Sequence, residues 1–196
     1  LQTIHQRRWP QSVLFTGASV NSAHQAMQTL TKALLCLHPS EQGSCGTCRA
    51  CVALKQQQHV DYITIAPEQE ASSIKIDAIR AMLAKVANSA QLSSTQVVCI
   101  HTCEKITIQA ANALLKTLEE PKTGLYFLLH STRPSALLPT IRSRCCTLRL
   151  PSAQVQDSKQ ILEDNPKLYE LLWQRWPTSA CLHLADSLQA VSYTHL

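Results

Sequence analysis

Two stretches, Val97-Val98-Cys99-Ile100 and Leu125-Tyr126-Phe127-Leu128-Leu129, are apolar at every position rather than at every second one. A strand with one wet face alternates. A strand that is apolar throughout has to be covered on both faces, the condition of a central strand in a parallel sheet between helices. Three further β-rich runs, at 12–16, 62–66 and 146–150, join the two longer strands at 97–101 and 125–130. Helical spacing separates them at 21–37, 77–90 and 107–120, the last with Thr107 as N-cap and Pro121 as stop. The pattern predicts an α/β fold: a mostly parallel five-stranded sheet flanked by helices, with the strands at 97–101 and 125–130 innermost.

From Pro151 onward no strand-like run remains, and 154–162, 166–176 and 181–190 read as short helices. The expected organisation is an α/β core at 1–150 and a small all-helical domain at 151–196. Charge divides at the same place, +7 over residues 1–150 and −2 over 151–196. A moderately basic core permits contact with a polyanion but is too dilute for a dedicated nucleic-acid stripe. No apolar run approaches the ~20 residues needed to span a bilayer, so a cytoplasmic protein without a membrane partner is expected. The chain starts on Leu1, which suggests that residues precede it, and its last residues, 191–196, fit no motif.

Nine cysteines are present, and four are grouped as Cys36-x8-Cys45-x2-Cys48-x2-Cys51. A Cys-x2-Cys turn brings two sulfurs to one side, and four thiolates satisfy tetrahedral zinc without leaving a site for water. The favoured reading is a structural zinc module at 36–51, with Gly43 and Gly46 supplying its turns; free thiols and a disulfide pair are the alternatives. Cys99, Cys103, Cys145, Cys146 and Cys181 lack such spacing and are expected to be small core hydrophobes.

The run from 13 to 24 has the strand, turn and helix order of a phosphate-binding loop, Gly-x-x-x-x-Gly-Lys-Ser/Thr. Of that pattern only Gly17 is present: Ser22 stands at the second glycine, Ala23 at the lysine and His24 at the magnesium-binding hydroxyl. With four glycines in the whole chain, no Gly-rich phosphate cradle can form elsewhere. After the strand at 97–101, where an ATPase places Asp and Glu, stand His101 and Thr102. The nucleotide site is therefore read as degenerate, and no ATP is expected as a cofactor.

Two motifs are more specific. Asn112-Ala113-Leu114-Leu115-Lys116-Thr117-Leu118-Glu119-Glu120-Pro121, followed by Thr140-Ile141-Arg142-Ser143-Arg144-Cys145, closely resembles the clamp-loader subunits of bacterial DNA polymerase III, which are AAA+ proteins. The four-cysteine insertion after the first helix matches that family as well. Within it, a lost lysine and acidic pair together with a retained cysteine cluster and Ser-Arg-Cys resemble the branch that does not hydrolyse ATP, rather than the gamma/tau ATPase branch.

What the resemblance implies is a non-catalytic subunit of the complex that opens the sliding clamp and places it on primer-template DNA during replication. Its implied partners are gamma/tau ATPase subunits and the delta subunit, with clamp and DNA reached through the complex in the bacterial cytoplasm at the replisome. Arg144, flanked by Ser143 and Cys145, would be an arginine finger for ATP held by a neighbour. Arg142, one alternate along an expected strand, would point away and serve structure. Lys116, Glu119 and Glu120 read as a solvated helix face, and Ser131 and Thr132 as strand-end caps. The 151–196 region would be an incomplete lid, with the ring-forming collar domain absent. Two other readings stay open: a divergent ATPase using His24 or His101, and a zinc-stabilised DNA-binding module.

Overall fold

The computed structural model describes residues 10–17, 20–39, 43–67 and 73–150, and of Asn21 and Ser22 only the backbone. The expected helical domain at 151–196, Cys181, Ala18 and Ser19 lie outside the described residues. The elements run β1 (Ser12–Thr16), α1 (Val20–Leu35), α2 (Arg49–Lys55), β2 (Tyr62–Ile65), α3 (Ile76–Ala87), β3 (Gln96–Ile100), α4 (Ile108–Glu119), β4 (Leu125–His130), α5 (Pro139–Arg142) and β5 (Cys146–Arg149). No helix among the described residues is long and apolar enough to cross a membrane.

The five strands are all parallel, in the order β2-β3-β4-β1-β5. β4 is central, flanked by β3 and β1, with Val98 opposite Phe127 and Leu14 opposite Leu129. The two apolar runs are thus interior, as expected, and β1, whose five residues are all buried, is interior with them.

Successive side chains on a strand point to opposite faces, and here both faces are dry. Val13, Phe15, Val97, Cys99, Tyr126 and Leu128 pack with Ala23, Ala26, Met27, Leu30 and Leu34 of α1. Leu14, Val98, Ile100, Leu125, Phe127 and Leu129 pack with Ile79, Met82 and Val86 of α3 and with Ala110, Ala111, Leu114 and Leu118 of α4. One helix on one face and two on the other explain why the strands do not alternate in polarity.

α4 keeps the expected signals: the Thr107 hydroxyl accepts from the Ala110 N–H at 3.3 Å, and Pro121 follows the C-cap Glu120. α2 was not anticipated. It begins directly after Cys48, whose sulfur accepts from the Cys51 N–H at 3.5 Å. The segment carrying Arg142 and Arg144 is a short helical turn and bend, not a strand. Pro139 fixes the φ suited to a first helical turn, so strand alternation does not apply to these two arginines.

The C-terminal carbonyls of α1 are tied to the loop before β3, Leu34 O by the Thr95 hydroxyl and Leu35 O by the Ser93 hydroxyl, each at 2.7 Å. The buried Asp61 carboxylate holds that loop by accepting the N–H groups of Gln91, Leu92 and Ser93 at 2.7, 2.7 and 2.8 Å. Nothing in the local sequence around Asp61 announces this anchor.

Candidate functional site

In a parallel sheet of this order, ligands are expected beyond the C-terminal ends of the strands, where the winding direction changes. Gly17 follows β1, His101 and Thr102 follow β3, and Ser131 follows β4 at that edge. Gly17 has φ +84, and a Cβ there would lie 2.8 Å from Leu150 O, so the turn has room only for glycine. Ala23 is fully buried in the cluster under α1 and offers nothing to a phosphate.

His24 is exposed and its Nε2 lies 3.2 Å from Gln28 Nε2. Its ring meets His101 edge to face, with centroids 4.8 Å apart. Burial, together with the nearby His24 and His130, lowers His101 to about 4, so it is neutral near pH 7. Thr102 sits in the left-handed region at φ 53. Of the residues named here, none supplies the fixed cation or the carboxylate of an ATPase.

One acidic group near this edge was missed from sequence. Glu104, in the turn after β3, accepts from the Thr132 hydroxyl at 2.6 Å. Burial raises its pKa, but the Thr132 contact and other donors outweigh it and hold the carboxyl below its usual range. Ser131 caps as expected, its hydroxyl oxygen accepting from the Arg133 N–H at 3.2 Å. Thr132 instead secures Glu104.

The four sulfurs of Cys36, Cys45, Cys48 and Cys51 lie within 4.8 Å of one another. Four sulfurs at about 2.3 Å from a central ion form a tetrahedron with edges of about 3.8 Å; the Cys36 sulfur is 3.5 Å from that of Cys45 and 4.0 Å from that of Cys48. All four are free thiols, so the disulfide alternative does not hold. The Cys48 N–H, at 3.3 Å from the Cys45 sulfur, and the Thr47 N–H favour the thiolate and lower Cys45 to about 6. Burial, with the Cys48 and Cys36 sulfurs close by, pushes Cys51 up to about 12. A divalent cation would relieve this mutual repulsion, and the donor set fits one. Cys99 and Cys103 are buried and their thiols raised by burial, Cys99 to about 11; half-buried Cys145 is raised to about 12 by burial and by Cys146. None of these three is poised as a nucleophile.

Arg144 lies in the turn after α5, with 29% of its side chain exposed. Its Nε and Nη2 donate to Glu119 Oε2 at 3.3 and 3.2 Å, and its Nη1 donates to Thr140 O at 3.1 Å. Glu119 is therefore not simply part of a solvated helix face, while Lys116 and Glu120 are exposed as expected. Glu119 remains 58% exposed, and an ion pair this accessible is worth at most about 1 kcal/mol. Ser143 is exposed, its hydroxyl donating to Thr140 O at 3.2 Å, and Arg142 is exposed as well.

A five-stranded parallel sheet in the order β2-β3-β4-β1-β5, covered by helices on both faces, is the core of an AAA+ fold. The solved gamma subunit-related protein of Thermotoga maritima DNA polymerase III shares this fold at a TM-score of 0.56, covering 89% of this chain and 53% of that one at 24% identity. A family model described as "DNA polymerase III, delta subunit" matches residues 1–154. The DNA polymerase III subunit delta' of Pseudomonas aeruginosa is 41% identical over 71% of this chain and 44% of its own length. That of Escherichia coli K12 is 42% identical over 59% of this chain and 35% of its own length. The tau/gamma subunit of Haemophilus influenzae is more distant, 32% identical over 75% of this chain and 21% of its own. The chain belongs to the delta-prime family of DNA polymerase III subunits. It spans less than half the length of these curated relatives.

Proposed function

We propose that this chain is the core of a non-hydrolysing clamp-loader subunit that completes the ATP site of a neighbouring ATPase subunit through Arg144. The observation that carries the reading is the contrast between two places. The edge beyond β1 and β3 has a buried Ala23 and a neutral His101 where phosphate and magnesium ligands would be needed. The guanidinium of Arg144 stands on an accessible turn, with donors to spare. A guanidinium directed at γ-phosphate oxygens stabilises charge as it redistributes during transfer, and such fingers raise hydrolysis by ~10³ to 10⁵ in other NTPases.

The proposed partners are gamma/tau-type ATPase subunits and the delta subunit, with the sliding clamp and primer-template DNA met through the assembly, in the bacterial cytoplasm at the replisome. Cys36, Cys45, Cys48 and Cys51 would hold a structural zinc that joins the end of α1 to α2. The region after Leu150 would form part of a lid.

The test uses full-length protein alone and in the reconstituted loader. Alone, it should show no saturable binding of magnesium ATP by calorimetry. In the complex, Arg144→Ala should leave assembly intact and slow clamp- and DNA-stimulated hydrolysis by at least about 100-fold. Micromolar ATP binding to the free chain would favour a divergent ATPase, and normal hydrolysis with Arg144→Ala would remove the finger.

A further inference from the structure

We infer that Glu119 is a positioning residue that presents Arg144 to the neighbouring nucleotide; the inference rests on the finger reading above. Arg144 carries five N–H donors in a planar fork. Glu119 Oε2 takes the side-on pair, Nε and Nη2, and Thr140 O takes one donor of Nη1. Three donors are engaged, and one on each terminal nitrogen is left over. A guanidinium held along one side in this way is biased toward one orientation about its last bonds. What it still offers is a pair of N–H groups suited to two oxygens of a phosphate.

The position of Glu119 argues for this use. It is the last residue of α4, where the helix presents the negative end of its dipole and a carboxylate is disfavoured. The pair is too exposed to matter much for folding. It does connect a rigid helix, packed on the sheet through Leu114 and Leu118, to a short turn whose arginine would otherwise sample many rotamers. Fixing a long flexible side chain before the partner arrives removes an ordering cost from the assembled site, and small misplacements of a catalytic group cost up to about 100-fold in rate.

The deciding experiment is a double-mutant cycle in the reconstituted loader, with kcat and KM for ATP measured in the presence of clamp and primed DNA. Glu119→Ala should lower kcat by up to about fivefold, with KM and assembly unchanged. Glu119→Gln, which keeps one acceptor oxygen, should fall between wild type and Glu119→Ala. The combined Glu119→Ala/Arg144→Ala complex should be no slower than Arg144→Ala alone, because Glu119 acts only through the arginine. An equal drop in both backgrounds would show a separate structural role and overturn the inference. So would an unchanged or faster kcat in Glu119→Ala alongside a slow Arg144→Ala, and in that case the finger reading survives by itself. If Arg144→Ala has no effect, both readings fall. Should Glu119→Ala fail to assemble, Glu119→Gln decides: reduced kcat in the wild-type background only supports the inference, and any other result ends it.

Discussion

Thr102 adopts φ 53 and ψ 48 at the end of β3, where a β-branched side chain crowds its own backbone. Its side chain makes no capping hydrogen bond to the turn it begins, and the local support is from backbone alone, its carbonyl accepting from the Lys105 N–H at 2.9 Å. Left-handed backbone costs an ordinary L-residue roughly 1–2 kcal/mol, and asparagine tolerates it far better. Thr102→Asn should therefore raise stability by about 1 kcal/mol, read as a higher urea midpoint at unchanged slope. A lower midpoint would mean that the threonine side chain has a partner worth more than the strain.

At the scale of elements, the four-cysteine segment differs from the sheet in what holds it. α2 has seven residues and one buried side chain, Ala50, too little to keep a helix by itself. Its start is set by Cys48 and its approach to α1 by the sulfur cluster. Chelation of the proposed zinc should therefore remove amide protection from α2 and the end of α1 while β3 and β4 stay protected, as hydrogen exchange would show. Loss of protection throughout the sheet would make the metal a condition of the whole fold instead. α4 and the five strands were legible in the sequence, since their signals are local: apolar runs, a threonine cap, a proline stop. α2 was not, because a cysteine sulfur is a weak acceptor outside the usual capping residues. The Asp61 anchor, which reaches residues 30 positions or more along the chain, has no pattern to read. At the candidate site the cysteine spacing and Arg144 could be picked out, whereas the Glu119 partnership depends on a turn that the sequence suggested was a strand.

For the molecule as a whole, the edge of the sheet beyond β1 and β3 keeps His101 neutral near pH 7. His101 lies between His24 of α1 and His130 of β4, and burial plus these neighbours lowers it from 6.5 to about 4. His59, at the opposite edge of the sheet, is lowered by burial, more than nearby Asp61 can offset. Its ring is fixed in one tautomer: the Asp61 N–H donates to Nδ1, and Nε2 donates to Ser93 Oγ, whose own proton goes to Leu35 O. Between pH 6.5 and the folded values, the unfolded chain binds protons that the native state refuses. The stabilisation is thus complete above about pH 6.5 and withdrawn as the pH falls toward 4, where His101 itself titrates. Glu104, held low by Thr132, adds a loss of the same sign further into acid. Urea unfolding at pH 8, 6.5 and 5 should give midpoints that fall steeply only in the last interval. Acid also releases metal from thiolates, so the comparison that isolates the histidine is His101→Gln, which should flatten the fall between pH 6.5 and 5 while leaving the metal-dependent part in place. If His101→Gln loses stability as steeply as the parent chain, acid sensitivity belongs to the cysteine cluster and His101 has no part in it.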